Sequence, residues 1–213
     1  MTEAISTLRE EYRNAPLDER DADPDPFAMF RRWMEAAVAE NLPEPNAMVV
    51  ATASLDGKPS ARFVLLRGLD ARGFVFFTNY DSRKGKELAE NPFAALVFFW
   101  QPLHRSIRVE GRVERVSAQE SDEYFAQRPR GSQLSSAASP QSAVIANREV
   151  LEARVQELDK QFPGKVLRPP HWGGYRVVPD VFEFWQGGAN RLHDRLRYTR
   201  ARDDRWTMER LAP

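Results

Sequence analysis

The pattern of apolar and polar positions changes along the chain from helical spacing to strand-like alternation. From Pro26, apolar residues recur every three or four positions as far as Val38, which predicts an amphipathic helix that Pro43 and Pro45 terminate. Residues 147–162 show the same spacing and predict another helix. Short strands separated by turn residues are predicted for 47–54, 60–69, 74–78, 93–100, 106–116, 172–178, 181–186, 190–198 and 205–210.

Two shorter helices and one loop complete the predicted elements. Asp81 or Ser82 caps a helix that ends near residue 90, and Ser117 with Glu120 forms a capping box at the start of a helix over 117–127. The Ser- and Ala-rich stretch 131–142 predicts a loop. Many short antiparallel strands with few helices between them indicate a mainly β fold with flanking helices, a barrel or sandwich rather than a parallel doubly wound sheet.

The N-terminal residues differ from the rest of the chain. A polar helical stretch is predicted from Glu3 to Tyr12, and residues 14–26 are rich in Asp, Arg and Pro. We therefore expect a mobile N-terminal arm over residues 1–24 and a single domain over residues 25–213.

Composition narrows the classes of function. The 213 residues carry 31 basic and 31 acidic side chains, so the chain lacks the net positive charge typical of a nucleic-acid-binding protein. There is no cysteine, which excludes disulfides and thiolate chemistry, and the three histidines have no short metal-ligand spacing. No export signal and no run of about 18 apolar residues is present. We expect a cytoplasmic protein without a metal, with small-molecule partners and neither nucleic acid nor membrane.

The segment from Glu183 to Arg195 carries the strongest chemical signal. Arg191, His193 and Arg195 alternate along a predicted strand, so their side chains are expected to share one face, which suits an anion. Trp185 and the glycine pair at 187–188 precede them and offer a flat apolar surface and a tight turn. The alternative is a solvated basic edge of a barrel.

Three further clusters suit phosphate groups, although no dinucleotide fingerprint, P-loop or nucleophile elbow is present. The first joins Arg62 and Arg67 to the helix start at 82–84; there the alternative is solvated basic residues. The second consists of Tyr124, Arg128 and Ser132, with surface packing as its alternative. The third is the pair 141–142, which an ordinary helix N-cap would also explain.

Together these segments resemble a known family. Residues 62–67, 77–79, 82–84, 124–130, 141–142, 172–176, 183–195 and 209–213 are similar, in this order and spacing, to the pyridoxamine 5′-phosphate oxidase family. The resemblance runs from Leu8 to Pro213 and implies an antiparallel Greek-key split β-barrel that binds FMN. It also implies a homodimer with two FMN molecules in clefts between the subunits, each lined by residues of both chains.

The resemblance assigns roles residue by residue. The FMN-binding residues that it implies are Arg62, Phe63, Val64, Leu65, Leu66, Arg67, Phe77, Thr78, Arg83, Lys84, Gln141, Ser142, Trp185 and Arg195. The substrate-binding residues that it implies are Arg9, Tyr12, Arg67, Tyr124, Arg128, Ser132, Arg191, Leu192 and His193. Arg191 and His193 are the implied catalytic residues. Residues 9–12 with Glu44 would form a lid over the site.

The activity implied is the FMN-dependent oxidation of pyridoxamine 5′-phosphate and pyridoxine 5′-phosphate by O2. The products would be pyridoxal 5′-phosphate and hydrogen peroxide, with ammonia released from the amine. Three departures from the family pattern stand out: Arg67 replaces a common Lys, Ser106 a usual Gln, and residues 134–137 a common Gly-Ala-Trp. The alternative is a split-barrel flavoprotein that acts on or carries a different substrate.

Overall fold

The computed structural model of the protein describes residues 11–12 and 14–213. The helices of this part are α1 Pro26–Ala39, α2 Arg83–Glu90, α3 Ala118–Gln127, α4 Arg130–Ala138 and α5 Arg148–Gln161. The strands are β1 Ala47–Ala53, β2 Pro59–Leu65, β3 Gly68–Asp70, β4 Gly73–Asn79, β5 Phe93–Trp100, β6 Arg105–Arg115, β7 Trp172–Gln186, β8 Asp194–Arg200 and β9 Trp206–Arg210. Short 3-10 helices occupy Glu19–Asp21, Gln101–Leu103 and Ala189–Arg191.

The strands form one sheet in the order β2-β1-β5-β6-β7-β4-β3, and β8 adds to β7 and β9 to β8. The pairs β3–β4, β4–β7, β7–β8 and β8–β9 are antiparallel. In their registers Phe77 lies opposite Gly174 and Trp185 opposite Arg195. The predicted fold class, mainly antiparallel β with flanking helices, is confirmed. No helix among the described residues is long and apolar enough to cross a membrane.

The chain divides into two compact units. The first comprises residues up to 48, 96–109 and 180–213, and the second comprises 49–95 and 110–179. In the first unit, α1 buries the apolar face that its sequence spacing predicts. Phe27 packs on Phe182 with ring centroids 5.2 Å apart, and Trp33 packs on Phe184 at 5.3 Å. Complete burial of such a side chain stabilises a fold by roughly 1.5–3 kcal/mol.

The second unit has a core of its own beside β4 and the start of β7. Phe125, Leu134, Val166 and Trp172 form its buried centre, and partly buried side chains of α5 pack against it. The capping box predicted at Ser117 is present, because the Ser117 hydroxyl accepts from the Glu120 amide at 3.0 Å and the Glu120 carboxylate accepts from the Ser117 amide at 3.1 Å. These contacts fix the start of α3.

Two local predictions are wrong. The stretch 131–142 is largely helical, since α4 covers Arg130–Ala138. Leu134 and Ala138, one turn apart, are buried, and the Gln133 amide donates to the Phe125 carbonyl at 2.9 Å, so tertiary burial outweighs a composition typical of loops. The predicted strand over 190–198 starts only at Asp194, because Asn190 and Arg191 have φ of 54° and 65°, outside the extended region.

Two predicted strand boundaries also change. The strands predicted over 172–178 and 181–186 are one strand, β7, which continues through Pro179. Proline fits extended backbone and removes only one hydrogen-bond donor there. The strand predicted over 60–69 divides into β2 and β3 around Arg67, whose amide donates to the Val75 carbonyl at 2.8 Å.

Candidate active site

A buried ammonium group lies at the junction of β4 and α2 in the second unit. The Lys84 ammonium donates to the Thr78 hydroxyl at 3.0 Å and to the Gln141 carbonyl oxygen at 2.8 Å, and the Thr78 hydroxyl also donates to Gln141 at 3.0 Å. Ser82 caps α2 by accepting from the Gly85 amide. We call Thr78, Ser82, Lys84 and Gln141 the ammonium cluster. Burial, and then the nearby charge of Arg62, lowers the pKa of Lys84 to about 8.

The arginines around this cluster have a carboxylate partner, whereas Lys84 makes no ion pair among the described residues. Glu87 accepts from the Arg83 guanidinium at 2.9 Å and from Arg62 at 3.4 Å. Burial alone would raise the pKa of Glu87, but hydrogen bonds from Ser60, Thr52 and Arg83 outweigh it and lower that pKa to about 2. Glu87 is therefore shared by both arginines, while Lys84 donates to neutral oxygens and the charge of Glu87 only partly offsets the lowering of its pKa.

The structure distinguishes between the phosphate-binding interpretation and its alternatives for the helix start at 82–84 and for the pair 141–142. Arg83 is solvated, with 62% of its side chain exposed, but Lys84 is buried, so the solvated interpretation is wrong for Lys84. Gln141 does not cap a helix, because α5 begins after Asn147, whose side chain accepts from the Val150 amide. Ser142 is exposed and has a φ of 73°.

The residues between Arg62 in β2 and Arg67, which follows β2, are less buried than Thr78, Ser82 and Lys84. Phe63 has 79% of its surface exposed. Val64 and Leu65 are half-buried in β2, and Leu66 follows the strand. Of the predicted FMN residues in this unit, the structure thus brings Thr78, Lys84 and Gln141 into direct contact and leaves Phe63 and Ser142 on the surface.

A second cationic cluster surrounds Arg128, at the end of α3. Its guanidinium lies over the Trp172 ring, 4.8 Å from the centroid, and donates to the Ser136 hydroxyl at 2.7 Å. Tyr124 stacks on Phe77 with ring centroids 4.0 Å apart. Burial lowers the pKa of Arg128, and the positive charge of Arg67 lowers it further against the opposing effect of Tyr124. The charge of Arg67 thus acts on Arg128, and Arg128 has no carboxylate partner in the described chain.

A groove of about 280 Å³ opens beside this guanidinium, and Ser132 lines it together with Arg128, Ser136 and Trp172. We call Arg67, Tyr124, Arg128 and Ser132 the guanidinium cluster. An unpaired, half-buried arginine beside serine hydroxyls is well suited to an anion with several acceptor oxygens. The surface-packing alternative for Tyr124 and Arg128 therefore accounts for the ring of Tyr124 but not for the charge of Arg128.

In the first unit, aromatic and imidazole side chains form a cluster. Tyr12 lies 4.4 Å from His104, 5.9 Å from Trp185 and 5.7 Å from His193, measured between ring centroids. Trp185 and His193 are 4.8 Å apart. We call these four residues the aromatic cluster. Burial, and then the charge of Arg191, lowers the pKa of His193, which Asp194 only partly offsets.

The prediction that the side chains of Arg191, His193 and Arg195 share one face of a strand is wrong. Arg191 lies in the 3-10 helix before β8, and Leu192, which follows it, is 71% exposed. Arg195 lies in β8 and donates to the Glu183 carboxylate at 2.8 Å and to the Ala212 carbonyl at 2.8 Å. Arg195 therefore has a carboxylate partner, which it shares with Arg108 at 2.6 Å.

The segment that follows Tyr12 is held to the first unit by hydrogen bonds. Arg210 donates to the Glu19 carboxylate at 2.7 Å, to the Leu17 carbonyl at 2.7 Å and to Asp194 at 2.6 Å. The side-chain amide of Gln186 donates to the Ala15 carbonyl. These contacts place Tyr12 in the aromatic cluster. The other predicted lid residues differ: Arg9 lies outside the described residues, and Glu44 is exposed.

Sequence reasoning missed several residues of these clusters. His104, Ser136 and Glu87 were not singled out. His104 contacts Tyr12 from a distant part of the chain, whereas Ser136 lies eight residues after Arg128 and Glu87 pairs with Arg83 four residues before it. Trp172 was noted only within a family segment, although the Trp-Gly-Gly sequence at 172–174 is a signal for close packing. Ser106, where the family has Gln, donates its hydroxyl to the Phe98 carbonyl at 3.0 Å.

The ammonium cluster passes a physical test for a phosphate-bearing cofactor such as FMN. A buried ammonium group without an anion is costly, and the lowered pKa of Lys84 reflects that cost. A phosphate group would supply the missing negative charge and accept the hydrogen bonds that Lys84 and Thr78 now direct at Gln141. The residues present therefore fit the phosphate of the cofactor.

Comparisons with known proteins identify the family of the chain. The family model described as pyridoxamine 5′-phosphate oxidase matches residues 34–162, and the model of the pyridoxine 5′-phosphate oxidase C-terminal dimerisation region matches residues 172–213. The pyridoxine/pyridoxamine 5′-phosphate oxidase of Burkholderia multivorans is 58% identical over 211 residues, which cover 98% of this chain and 99% of that protein. The same-named protein of Trichormus variabilis is 56% identical over 214 residues, covering 100% of both.

Two solved structures share the fold. PhzG from Burkholderia lata 383, solved in complex with tetrahydrophenazine-1-carboxylic acid, has a TM-score of 0.86 and 34% identity and covers 91% of this chain and 95% of its own. An FMN binding protein from Nostoc punctiforme related to pyridoxamine 5′-phosphate oxidase has a TM-score of 0.71 at 16% identity, covering 86% and 97%, and bears on the fold alone. The predicted split-barrel class is confirmed. On the matched models and the full-length relatives, the chain belongs to the pyridoxamine 5′-phosphate oxidase family.

Proposed function

We propose that this protein oxidises pyridoxamine 5′-phosphate and pyridoxine 5′-phosphate to pyridoxal 5′-phosphate with FMN as cofactor and O2 as acceptor. FMN, when bound, takes two electrons from the substrate and passes them to O2, which leaves as hydrogen peroxide. With the amine substrate, hydrolysis of the resulting imine releases ammonia. The protein supplies binding, orientation and charge, and it acts as a cytoplasmic homodimer.

The clearest support for a phosphorylated substrate is the unpaired guanidinium of Arg128. It is half-buried, lies against Trp172 and shares its surroundings with Arg67, and no carboxylate neutralises it among the described residues. A phosphate dianion matches two adjacent cations and the hydroxyl groups of Tyr124 and Ser132. We assign the substrate phosphate to the guanidinium cluster.

The ammonium cluster is assigned to the cofactor. Lys84 and Thr78 are donors that a phosphate ester can engage, and Arg62 and Arg83 add positive charge nearby while Glu87 holds them in place. The remaining predicted FMN residues of the second unit, from Phe63 to Arg67 with Phe77 and Ser142, belong to the same proposal.

The aromatic cluster is assigned to the ring of the substrate. Tyr12, Trp185 and His193 present flat surfaces, and the exposed guanidinium of Arg191 is adjacent in sequence to this group. Arg191 and His193 would orient the pyridine ring, which brings the reacting carbon into position. Arg195, which Glu183 already neutralises, would contribute a positioned donor rather than an unpaired charge.

The homodimer is part of the proposal. The match of residues 172–213 to a C-terminal dimerisation region supports it, and so do large exposed apolar side chains such as Phe63 at 79% and Phe99 at 59% exposure. Sedimentation velocity at micromolar concentration tests this point, and a monomer would contradict it.

Two measurements test the activity. The purified protein, saturated with FMN and freed of unbound cofactor, should keep a flavin spectrum. On addition of pyridoxamine 5′-phosphate in air it should form pyridoxal 5′-phosphate and hydrogen peroxide in equal amounts. A protein without flavin absorbance would contradict the cofactor assignment, and a yellow protein that forms no peroxide would contradict the substrate.

The likeness to PhzG favours a second candidate, a flavoprotein that acts on a different ring compound. PhzG was solved with tetrahydrophenazine-1-carboxylic acid, a tricyclic acid without phosphate. Competition separates the two candidates. One charged phosphate contact implies that pyridoxal 5′-phosphate binds the holoenzyme at least about tenfold more tightly than tetrahydrophenazine-1-carboxylic acid. That order of affinities would support the oxidation of the phosphorylated pyridine substrates. The reverse order would favour the second candidate.

A further inference from the structure

The loop between β7 and β8 has a backbone that only particular residues can adopt. Gly188 has no room for a side chain, since a Cβ atom there would lie 2.0 Å from the Leu192 carbonyl oxygen. Asn190 and Arg191, two residues further on, have φ of 54° and 65°, in the left-handed region. Non-glycine residues in that region cost free energy and persist where the surrounding structure requires them.

This backbone places one amide against the imidazole of His193. The Gly188 N–H donates to His193 Nδ1 at 3.2 Å, so Nδ1 acts as an acceptor and must keep its lone pair. In a neutral imidazole with an unprotonated Nδ1, the proton is on Nε2. Protonation of Nδ1 would direct two N–H donors at each other, so the loop disfavours the imidazolium form.

The groups around His193 add to this effect. Trp185 and Tyr12 cover parts of the ring, at centroid distances of 4.8 and 5.7 Å, and Arg191 contributes a positive charge. Asp194 is the negative charge recorded near His193, and its two oxygens already accept from Arg210 at 2.6 Å and from the Leu17 amide at 3.0 Å. No charged group described here offsets burial enough to keep the imidazole protonated, and the pKa of His193 is lowered accordingly.

We propose that the Gly188 amide holds His193 as a neutral imidazole with its proton on Nε2, so that His193 meets the ring substrate as a hydrogen-bond donor and not as a base. The inference deepens the proposed function, because it assigns an acceptor atom of the substrate to Nε2–H. Gly188 is then a positioning residue that acts through its backbone. The proton that leaves the substrate during oxidation is not taken up by His193.

Nitrogen NMR of the holoenzyme with 15N-labelled histidine tests the tautomer without any turnover. The chain has three histidines, so spectra of His104→Gln, His171→Gln and His193→Gln variants assign each signal. At pH 7.5, the His193 signal should show an unprotonated Nδ1 and a protonated Nε2. A proton on Nδ1, or an imidazolium near neutral pH, would overturn the inference even if the enzyme oxidises its substrate as proposed.

Two variants of His193 test the donor role. His193→Gln places its amide NH2 near the position of Nε2, whereas His193→Asn places it near Nδ1. We expect both variants to weaken the binding of pyridoxal 5′-phosphate and to lower kcat/KM, with the loss about tenfold or more greater in His193→Asn than in His193→Gln, the usual effect of a hydrogen bond to a charged or strongly polarised group. Equal losses in both variants, or a greater loss in His193→Gln, would contradict the donor role.

Discussion

Two arginines of the second unit, Arg176 and Arg128, are used in opposite ways. Arg176 is 2% exposed, and its guanidinium donates to both oxygens of Asp70 at 2.8 Å and to Glu120 at 3.0 Å. Arg128 is only half-buried and donates to a single hydroxyl, that of Ser136, while its face covers Trp172. Arg176 has its negative charges within the protein, and Arg128 needs one from outside.

The same contrast recurs around the ammonium cluster and in the first unit. Arg62 and Arg83 share the carboxylate of Glu87, and Arg108 and Arg195 share that of Glu183. Lys84 has only neutral partners. A cation that the fold neutralises serves stability, whereas one that the fold leaves without an anion is available for binding. Lys84 and Arg128 thus lack a carboxylate partner among the described residues, as does Arg105, which lies over the Trp33 ring at 4.5 Å and donates to the Gln186 amide oxygen at 2.8 Å.

The largest effect is expected from removing the neutralised arginine. Arg176→Met removes the buried cation between Asp70 and Glu120 and leaves them only the more exposed Arg72. It should lower the free energy of unfolding by about 3 kcal/mol, the lower end for a broken buried ion pair, since both carboxylates are partly exposed. Urea denaturation of the holoenzyme measures it. Arg128→Met is the matched control and should cost less than about 1 kcal/mol, because it leaves no carboxylate unpaired. An equal loss of unfolding free energy in the two variants would contradict the proposed difference between Arg176 and Arg128.

The next effect concerns the cofactor. Lys84→Met should raise the Kd for FMN by about ten- to hundredfold, the usual worth of a charge-assisted hydrogen bond. Lys86→Met, two residues along the same helix and exposed, is the control and should change that Kd less than about twofold. Fluorescence titration of the FMN-free protein measures both constants. An unchanged Kd in Lys84→Met would assign the cofactor phosphate elsewhere.

The binding of FMN should also depend on pH. The pKa of Lys84 is lowered to about 8 in the protein without ligand, so Lys84 loses its proton above that pH. A bound phosphate favours the charged form and raises this pKa again, so binding takes up a proton and the affinity for FMN should fall as the pH rises from about 8 to 10. In Lys84→Met this fall should disappear. A fall of the same size in the variant would exclude Lys84 as its origin.

The smallest effect is expected at Tyr124. Tyr124→Phe keeps the ring that stacks on Phe77 and Trp172 and removes only the hydroxyl. KM for pyridoxamine 5′-phosphate should rise about three- to tenfold with kcat nearly unchanged, as for one neutral hydrogen bond. Steady-state kinetics under saturating O2 measure both. A fall in kcat at constant KM would instead place the hydroxyl near the reacting atoms.

Local spacing predicted much of this fold. The apolar period of α1, the capping box at Ser117 and most strands are confirmed, because each depends on neighbours within a few residues. Helix α4 was missed, since its stability comes from burying Leu134 and Ala138 and not from its own composition. The prediction of a strand over 190–198 is wrong at Asn190 and Arg191, where the left-handed backbone depends on tight packing around Gly188.

The candidate site was also predicted only in part from the sequence. The basic residues were found from the sequence, because charge and spacing can be read directly. The sequence does not show which of them lack a carboxylate partner, since Asp70 pairs with Arg176 across 106 residues, Glu87 with Arg62 across 25 and Glu183 with Arg195 across 12. Only the Arg83–Glu87 pair, at a spacing of four in one helix, could be expected from the sequence. The distinction between Arg176 and Arg128 therefore appears only in three dimensions.

The most direct test compares a phosphorylated ligand with its unphosphorylated form. Kd values of pyridoxamine 5′-phosphate and pyridoxamine are measured under anaerobic conditions, with the bound FMN reduced so that no turnover occurs, for the wild type, for Arg128→Ala and for Arg148→Ala, an exposed surface control. Arg128→Ala should weaken binding of the phosphorylated ligand by about ten- to hundredfold and leave pyridoxamine unaffected, while the control changes neither. Equal losses for both ligands, or no loss for either, would contradict the claim that Arg128 is kept without an internal anion in order to bind phosphate.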